Sequence, residues 1–243
     1  MQNMSGIQIP PDEVKRLSLE FEGKHPKEVL RWATENLWPR VEISTAFGPE
    51  GIAIIDVAMH LERKMKVFTI DTGFLFQETL ELKQKLEDMY DIEIESLHPQ
   101  LSVVEQAAQY GPELYKREPD KCCAMRKTAP LKKKLPHLDG WVTGLRRSQS
   151  ETRKKVHILD PYDDGTGRTI VKVSPLAGWT KEEVWWYIVS HDLPYNPLHD
   201  KNYASIGCWP CTRPVLEGED ERAGRWKGLE KKECGIHTFM NNI

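Results

Sequence analysis

Val41-Glu42-Ile43-Ser44-Thr45-Ala46 reads as a strand, breaks at Phe47-Gly48-Pro49-Glu50-Gly51, and is followed by an apolar helical pattern from Ile52 to Glu62. Strand, glycine-containing turn and helix in that order open a βαβ unit. The pattern repeats. A second strand, Lys66 to Ile70, ends in Asp71-Thr72-Gly73, a helix from Phe76 to Tyr90 follows, and Ile92 to Ser96 reads as a third strand. Strands alternating with helices predict an α/β fold with a mostly parallel twisted sheet flanked by helices.

Upstream, Asp12 to Phe21 and Pro26 to Leu37 read as two amphipathic helices that pack on the core. Downstream, Leu101 to Tyr110 is helical, Lys121 to Lys134 is a basic helix limited by Pro130, and Trp141 to Gly144 is a fourth strand. A polar loop then runs to about Asp160, and Thr169 to Val173 is a short fifth strand. Thr180 with Glu183 three residues on forms a capping box for a helix over Lys181 to Ser190. Beyond Asp192 the periodicity fades into a segment rich in Pro, Gly and charge. The expected organisation is N-terminal helices over 1–40, a nucleotide-binding α/β domain over 41–217 and a mobile C-terminal segment over 218–243, within one structural domain.

No run approaches the roughly 18 apolar residues of a membrane span. Met1 to Lys15 carries Pro10-Pro11 and acidic residues where a signal peptide needs an apolar run. A soluble, cytoplasmic protein is expected, and in that compartment five cysteines suggest metal binding or catalysis rather than disulfides. A net charge of −3 argues against a generic polyanion binder. Basic residues nevertheless cluster from Lys121 to Lys134 and from Arg146 to Lys155, which suits a small anion.

Five constellations could carry chemistry. The turn at Ser44 to Gly51 offers backbone N–H groups and a helix N-terminus to an anion or a nucleotide, although it lacks the P-loop lysine. Asp71-Thr72-Gly73 ends a neighbouring strand at the carboxyl edge where such sheets bind ligands, or else simply caps its turn. Gly144-Leu145-Arg146-Arg147-Ser148-Gln149-Ser150-Glu151-Thr152-Arg153 brings three arginines to the same edge, and guanidinium forks suit phosphate or sulfate. Finally, Cys208-x-x-Cys211 with Cys122-Cys123 can supply a Cys₄ site for zinc or an iron–sulfur cluster. Adjacent cysteines fit zinc spacing poorly, which favours the cluster. Arg222 and Arg225 are three apart, so a helical turn would put them on one face. Cys234, left over from the two pairs and flanked by Lys231, Lys232 and His237, is a candidate nucleophile.

Taken together, the turn at Ser44, the Asp-Thr-Gly, Lys121-Cys122-Cys123 with Arg126-Lys127, the arginine loop, Gly207-Cys208-Trp209-Pro210-Cys211, Gly218 to Trp226 and Glu233-Cys234-Gly235-Ile236-His237 give a resemblance. The chain resembles the iron–sulfur-containing adenosine 5′-phosphosulfate (APS) reductases of assimilatory sulfate reduction, over roughly Val41 to His237. The resemblance implies a PP-loop fold of the adenine nucleotide alpha-hydrolase type and a single 4Fe–4S cluster on Cys122, Cys123, Cys208 and Cys211. It also implies reduction of APS to sulfite and AMP through an S-sulfonate on Cys234, resolved by thioredoxin or glutaredoxin. Carried over by motif, Ser44, Thr45, Gly48, Ile70, Gly73 and Gly144 would contact the nucleotide, with Arg153, and the neighbouring Arg146 and Arg147, at the phosphosulfate. Lys127, Arg222, Arg225 and His237 would surround the sulfate.

Two departures from the family pattern stand out. The first turn carries Pro49 and Gly51 where relatives often have small or acidic residues, and Gln149-Ser150-Glu151-Thr152-Arg153 is one residue shorter than the usual arginine loop. The 3′-phosphorylated substrate, PAPS, is the alternative, although the PAPS-specific branch generally lacks the four cysteines. A metal-stapled nucleotide- or tRNA-binding PP-loop protein is the reading from another class; a binding module has no need of Cys234 beside His237. A homo-oligomer is expected, with neither membrane nor nucleic-acid partners.

Overall fold

A computed structural model describes residues 9–163, 168–226, 231, 233, 235 and 236. Six strands form one mostly parallel sheet in the order β3-β2-β1-β4-β6-β5. They are β1 Val41–Thr45, β2 Lys66–Ile70, β3 Ile94–Leu97, β4 Gly140–Val142, β5 Leu159–Asp163 and β6 Thr169–Val173. β4 runs parallel to both β1 and β6, while β5 pairs antiparallel with β6 at the edge. The strand over Leu159–Asp163 replaces the end of the expected polar loop. Its sequence, with Pro161 inside it, gives no strand signal, and an edge position is where proline is tolerated because one side of the strand needs no ladder N–H.

The chain divides into two compact units. The first draws on the described residues of Met1–Thr45, Pro49–Phe68 and Leu135–Leu193. It holds α1 (Pro11–Glu20), α2 (Pro26–Leu37), α3 (Pro49–Met59) and α9 (Lys181–Ser190). In α3 every residue except Glu50 is buried, including Asp56. The buried Asp56 carboxylate accepts a 2.6 Å hydrogen bond from the Tyr187 hydroxyl of α9, and burial, with this bond second, raises the tyrosine's pKa. The expected capping box is formed: Glu183 N–H donates to Thr180 Oγ1 at 3.1 Å, and Thr180 N–H donates to Glu183 Oε2 at 2.7 Å.

The second unit draws on Ala46–Gly48, Thr69–Lys134 and the described residues of Pro194–Ile243. It contains α4 (Gln77–Tyr90), which ends on Asp91 in the left-handed region, φ 51°. That cap consumes the residues expected to begin the third strand, so β3 starts at Ile94. After α5 (Val103–Tyr110) and α6 (Leu114–Arg117), the expected basic helix is divided into three pieces. α7 (Pro119–Cys123) passes into a π-helical turn over Ala124–Thr128 and then α8 (Ala129–Lys134), with Pro130 tolerated in the first turn of α8. π-helical insertions concentrate at functional sites. No described helix is long and apolar enough to cross a membrane.

Replacing Tyr187 with Phe removes a donor from a buried carboxylate while leaving the ring packing intact. Equilibrium urea unfolding should show a loss of about 1–3 kcal/mol.

Candidate active site

In the first unit the carboxyl ends of β1 and β4 meet the start of α3. Gly51 faces Thr45 so closely that a Cβ there would lie 2.4 Å from Thr45 Oγ1, which explains the glycine. Gly144 packs against Glu50 and the backbone nitrogen of Gly51 in the same way. Ser44 Oγ accepts a 2.7 Å bond from the Trp141 indole and donates to the Val142 carbonyl at 3.1 Å. Its hydroxyl proton is therefore engaged within the sheet.

The arginine loop separates its three cations. Arg146 is buried; its Nε donates to Glu50 Oε1 at 2.8 Å and its Nη1 to Ser148 Oγ at 2.6 Å. Arg147 points elsewhere, donating to the Val156 carbonyl at 2.7 Å and to both oxygens of Glu22. Arg153 is half-buried, with Nη1 donating to Gln149 Oε1 at 2.5 Å. Gln149 in turn donates to Glu50 Oε1 at 3.0 Å and to the Gly144 carbonyl at 3.2 Å. Glu50 is thus an anionic hub that orients both Arg146 and, through Gln149, Arg153. Glu50 and Gln149 carry no sequence signal, because neither type marks a site until the loop is folded back on α3.

In the second unit Asp71 Oδ1 accepts the Gly73 N–H at 2.8 Å, so the aspartate caps its own turn. Gly73 has φ +72°, and a Cβ would press on Arg126 and Val103 at 3.0 Å, so both backbone and space require glycine. Ile70 ends β2 immediately before this turn, and Gly48 belongs to the Ala46–Gly48 segment of the same unit. Arg126, 3% exposed, donates to the Thr72 carbonyl, to the Leu101 carbonyl at 3.2 Å and to Gln106 Oε1 at 3.0 Å.

Cys122, Cys123, Cys208 and Cys211 line one recess, together with Phe74, Tyr115, Pro119, Arg126, Lys127, Pro210 and Trp226. All four are free thiols. Adjacent cysteines reach one space because α7 ends at Cys123 on the wall of the recess, and the π turn beyond it brings Arg126 and Lys127 to the same wall. Thr72 Oγ1 lies 3.3 Å from Cys208 Sγ, and Gln106 Nε2 lies 4.0 Å from Cys122 Sγ. Burial pushes the Cys122 thiol up and the Cys211 thiol up to about 11, opposed by Lys127 in both cases.

The donor set fits an iron–sulfur cluster: four soft sulfurs, no carboxylate or imidazole on the lining, hydrogen-bond donors at the sulfurs and cations to balance thiolate charge. Among the described residues, no group of three or more His, Cys, Asp or Glu side chains is arranged to hold a single metal ion.

Arg222 and Arg225 come together without a helix. Turns cover residues 221–224, Thr212 bridges to Arg225, and the Trp226 N–H donates to the Cys211 carbonyl at 3.0 Å. Both guanidiniums lie over the buried Trp226 ring, at 5.9 and 4.6 Å. Lys231 Nζ is 5.5 Å from the same ring and pairs with Asp120 of α7. Glu233 pairs with Arg222 at 3.1 Å. Cys234, His237 and Lys232 lie outside the described residues. The gathering role of Trp226 was not legible, since a lone tryptophan carries no spacing signal.

Residues 40–214 match the phosphoadenosine phosphosulfate reductase domain. The chain belongs to that family. It is similar to the adenosine 5′-phosphosulfate reductase of Salinibacter ruber, 44% identical over 223 residues that span 91% of this chain and 87% of the relative. It is also similar to the phosphoadenosine 5′-phosphosulfate reductase of Gloeobacter violaceus, 40% identical over 241 residues that span 98% of this chain and 99% of the relative. Among solved structures, the phosphoadenylyl-sulfate reductase of Candida auris in its phosphate complex aligns with a TM-score of 0.74 at 28% identity, covering 87% of this chain and all of that one. Relatives with these names are redox enzymes acting on sulfur, and the α/β architecture described above is shared with the Candida auris enzyme.

Arg126→Lys keeps the charge but loses the planar fork that meets Thr72, Leu101 and Gln106. Denaturant unfolding should register about 1–3 kcal/mol of destabilisation, because buried acceptors are left unmatched.

Proposed function

We propose that the chain is an APS reductase of assimilatory sulfate reduction: it converts APS to sulfite and AMP, with Cys234 as the nucleophile. The observation that carries the reading is the recess in which four thiols meet Lys127 and Arg126, set in a chain whose relatives include named APS reductases at 41–44% identity over most of its length.

In the first unit, the turn from Ser44 and Thr45 with Gly144 and Arg153 is assigned to the nucleotide phosphate; Arg146, held by Glu50, positions this loop, and Arg147 anchors it to Glu22. In the second, Ile70, Gly73 and Gly48 are assigned to the nucleoside, and Lys127, Arg222, Arg225 and His237 to the sulfate. The Cys234 thiolate attacks the sulfate sulfur. The bond from sulfur to the phosphate oxygen breaks, AMP leaves with the electron pair, and Cys234 carries an S-sulfonate. One thiol of a thioredoxin- or glutaredoxin-type dithiol then attacks the cysteine sulfur and releases sulfite. Its second thiol resolves the mixed disulfide, so two electrons reduce the sulfur while the dithiol is oxidised.

Cations are needed twice, because both the thiolate and the sulfate are anionic and repel until neutralised. The pairing of Lys231 with Asp120 and of Glu233 with Arg222 supports an arrangement in which the residues flanking Cys234 belong with the recess. A 4Fe–4S cluster on Cys122, Cys123, Cys208 and Cys211 would supply a fixed electrostatic field and a structural clamp rather than reducing equivalents.

The central test is trapping. Protein incubated with APS without a reductant should gain one sulfonate, located on Cys234 by mass spectrometry; absence of that adduct sinks the proposal. Cys234→Ser should lower turnover by about a thousandfold or more while nucleotide binding persists. Rates with APS and PAPS measured side by side decide between the two substrates represented among the relatives, with APS expected to be faster. Purified protein should contain iron and acid-labile sulfide, and Cys208→Ala should lose both together with much of the stability of the second unit.

A further inference from the structure

Glu42 of β1, Trp141 of β4, Lys172 of β6 and Asp160 of β5 are successive partners across the sheet. Registered partners share a face, so these four side chains form one row, and Ser44 follows Glu42 on the same face. Three of the four are ionisable and largely buried: Glu42 is 7% exposed, Lys172 is 9% exposed, and Asp160 is mostly enclosed.

Lys172 is the anomaly in the row. A lysine this deep ordinarily ends on a carboxylate or a carbonyl. Its ammonium instead lies 5.5 Å from the centre of the Trp141 ring, and among the described residues it makes no hydrogen bond and no ion pair. Asp160 attracts it across the strand pair but has its own donor, the backbone N–H of His157, with Arg147 also drawing on it. From the other side comes a like charge, since Arg153 is near enough to repel Lys172. Burial holds the lysine down at about 8, against the pull of Asp160 and with a smaller push from Arg153. Two cations close enough to repel, one of them buried and resting on the indole that holds Ser44 rather than on a hydrogen bond, mark a place that an oxyanion completes.

We infer that Lys172 is a further substrate-binding residue, pairing with Arg153 on the 5′-phosphate of the adenine nucleotide. The inference rests on the nucleotide-binding reading above. It assigns a role to a residue that no motif includes, since it sits inside a strand rather than in a turn. Charge-assisted contact with a phosphate would offset the burial of the ammonium, and Trp141 would align Lys172 and Ser44 through its ring and its N–H respectively.

Titration calorimetry with AMP and with adenosine on the intact protein tests this. Lys172→Met should weaken AMP roughly tenfold to a hundredfold, leave adenosine unchanged, and Lys172→Arg should restore most of the AMP affinity. Wild-type affinity for AMP should fall as pH rises from 8 to 9.5, where the nucleotide phosphate no longer titrates, and the Lys172→Arg protein should be flat over that range. Asp160, Glu42 and Arg153, the other ionisable groups facing the lysine from β5, β1 and the arginine loop, are shared by both proteins and cancel in the comparison. Equal loss of AMP and adenosine binding in Lys172→Met, or no loss of either, overturns the assignment. A wild-type protein that bound neither ligand would instead overturn the functional reading, and this assignment with it.

Discussion

The constraint on which the second unit depends is the convergence of four cysteine sulfurs from segments 85 residues apart, Cys122-Cys123 and Cys208-Cys211. Sulfur in a buried recess is a poor anion unless cations or a metal compensate it, and burial alone drives these thiols toward the neutral form. Lys127, Arg126 and Arg225 are the local response to that demand. The same convergence explains how a segment with little apolar periodicity is held. Phe74, Leu114 and the sulfurs form a small core, and the chain from Pro194 onward is attached to it by short turns and the Thr212–Arg225 bridge rather than by long elements.

The first unit solves a different problem. Several charged groups lie inside or at the edge of its sheet, and each buried charge needs a partner. Asp56 has Tyr187, Asp139 has Arg40, and Glu50 gathers Arg146 and Gln149. These contacts make the loop after β4 a rigid platform, because one carboxylate at the start of α3 fixes both its buried arginine and the glutamine that holds Arg153. Lys172 lies buried against an indole rather than on a carboxylate or carbonyl, and such a group is where a ligand is to be sought.

Much of this was legible along the chain. The strand–turn–helix at Val41 to Glu62, the helices at the N-terminus, the Thr180 capping box and the cysteine pairs were readable because each depends on periodicity or short spacing. Three features were not. The edge strand Leu159–Asp163 contains proline and alternates weakly, so only its pairing with β6 defines it. The π turn after Cys123 has no sequence signature. The arginines at 146, 147 and 153 looked equivalent in the loop, yet one is buried on Glu50, one is tied to Glu22, and one is held by Gln149.

By itself, then, the sequence determined the order of the elements, the glycine-dependent turns at the strand ends and the soft-donor character of the cysteine set. These follow from local backbone preference and side-chain chemistry, which act over a few residues. Tertiary structure alone decided which charges are structural and which remain without a partner, because partnership in a folded chain links residues as distant as Glu50 and Gln149, or Thr72 and Cys208. Electrostatic pairing and burial are properties of three-dimensional neighbours, and no spacing along the chain encodes them.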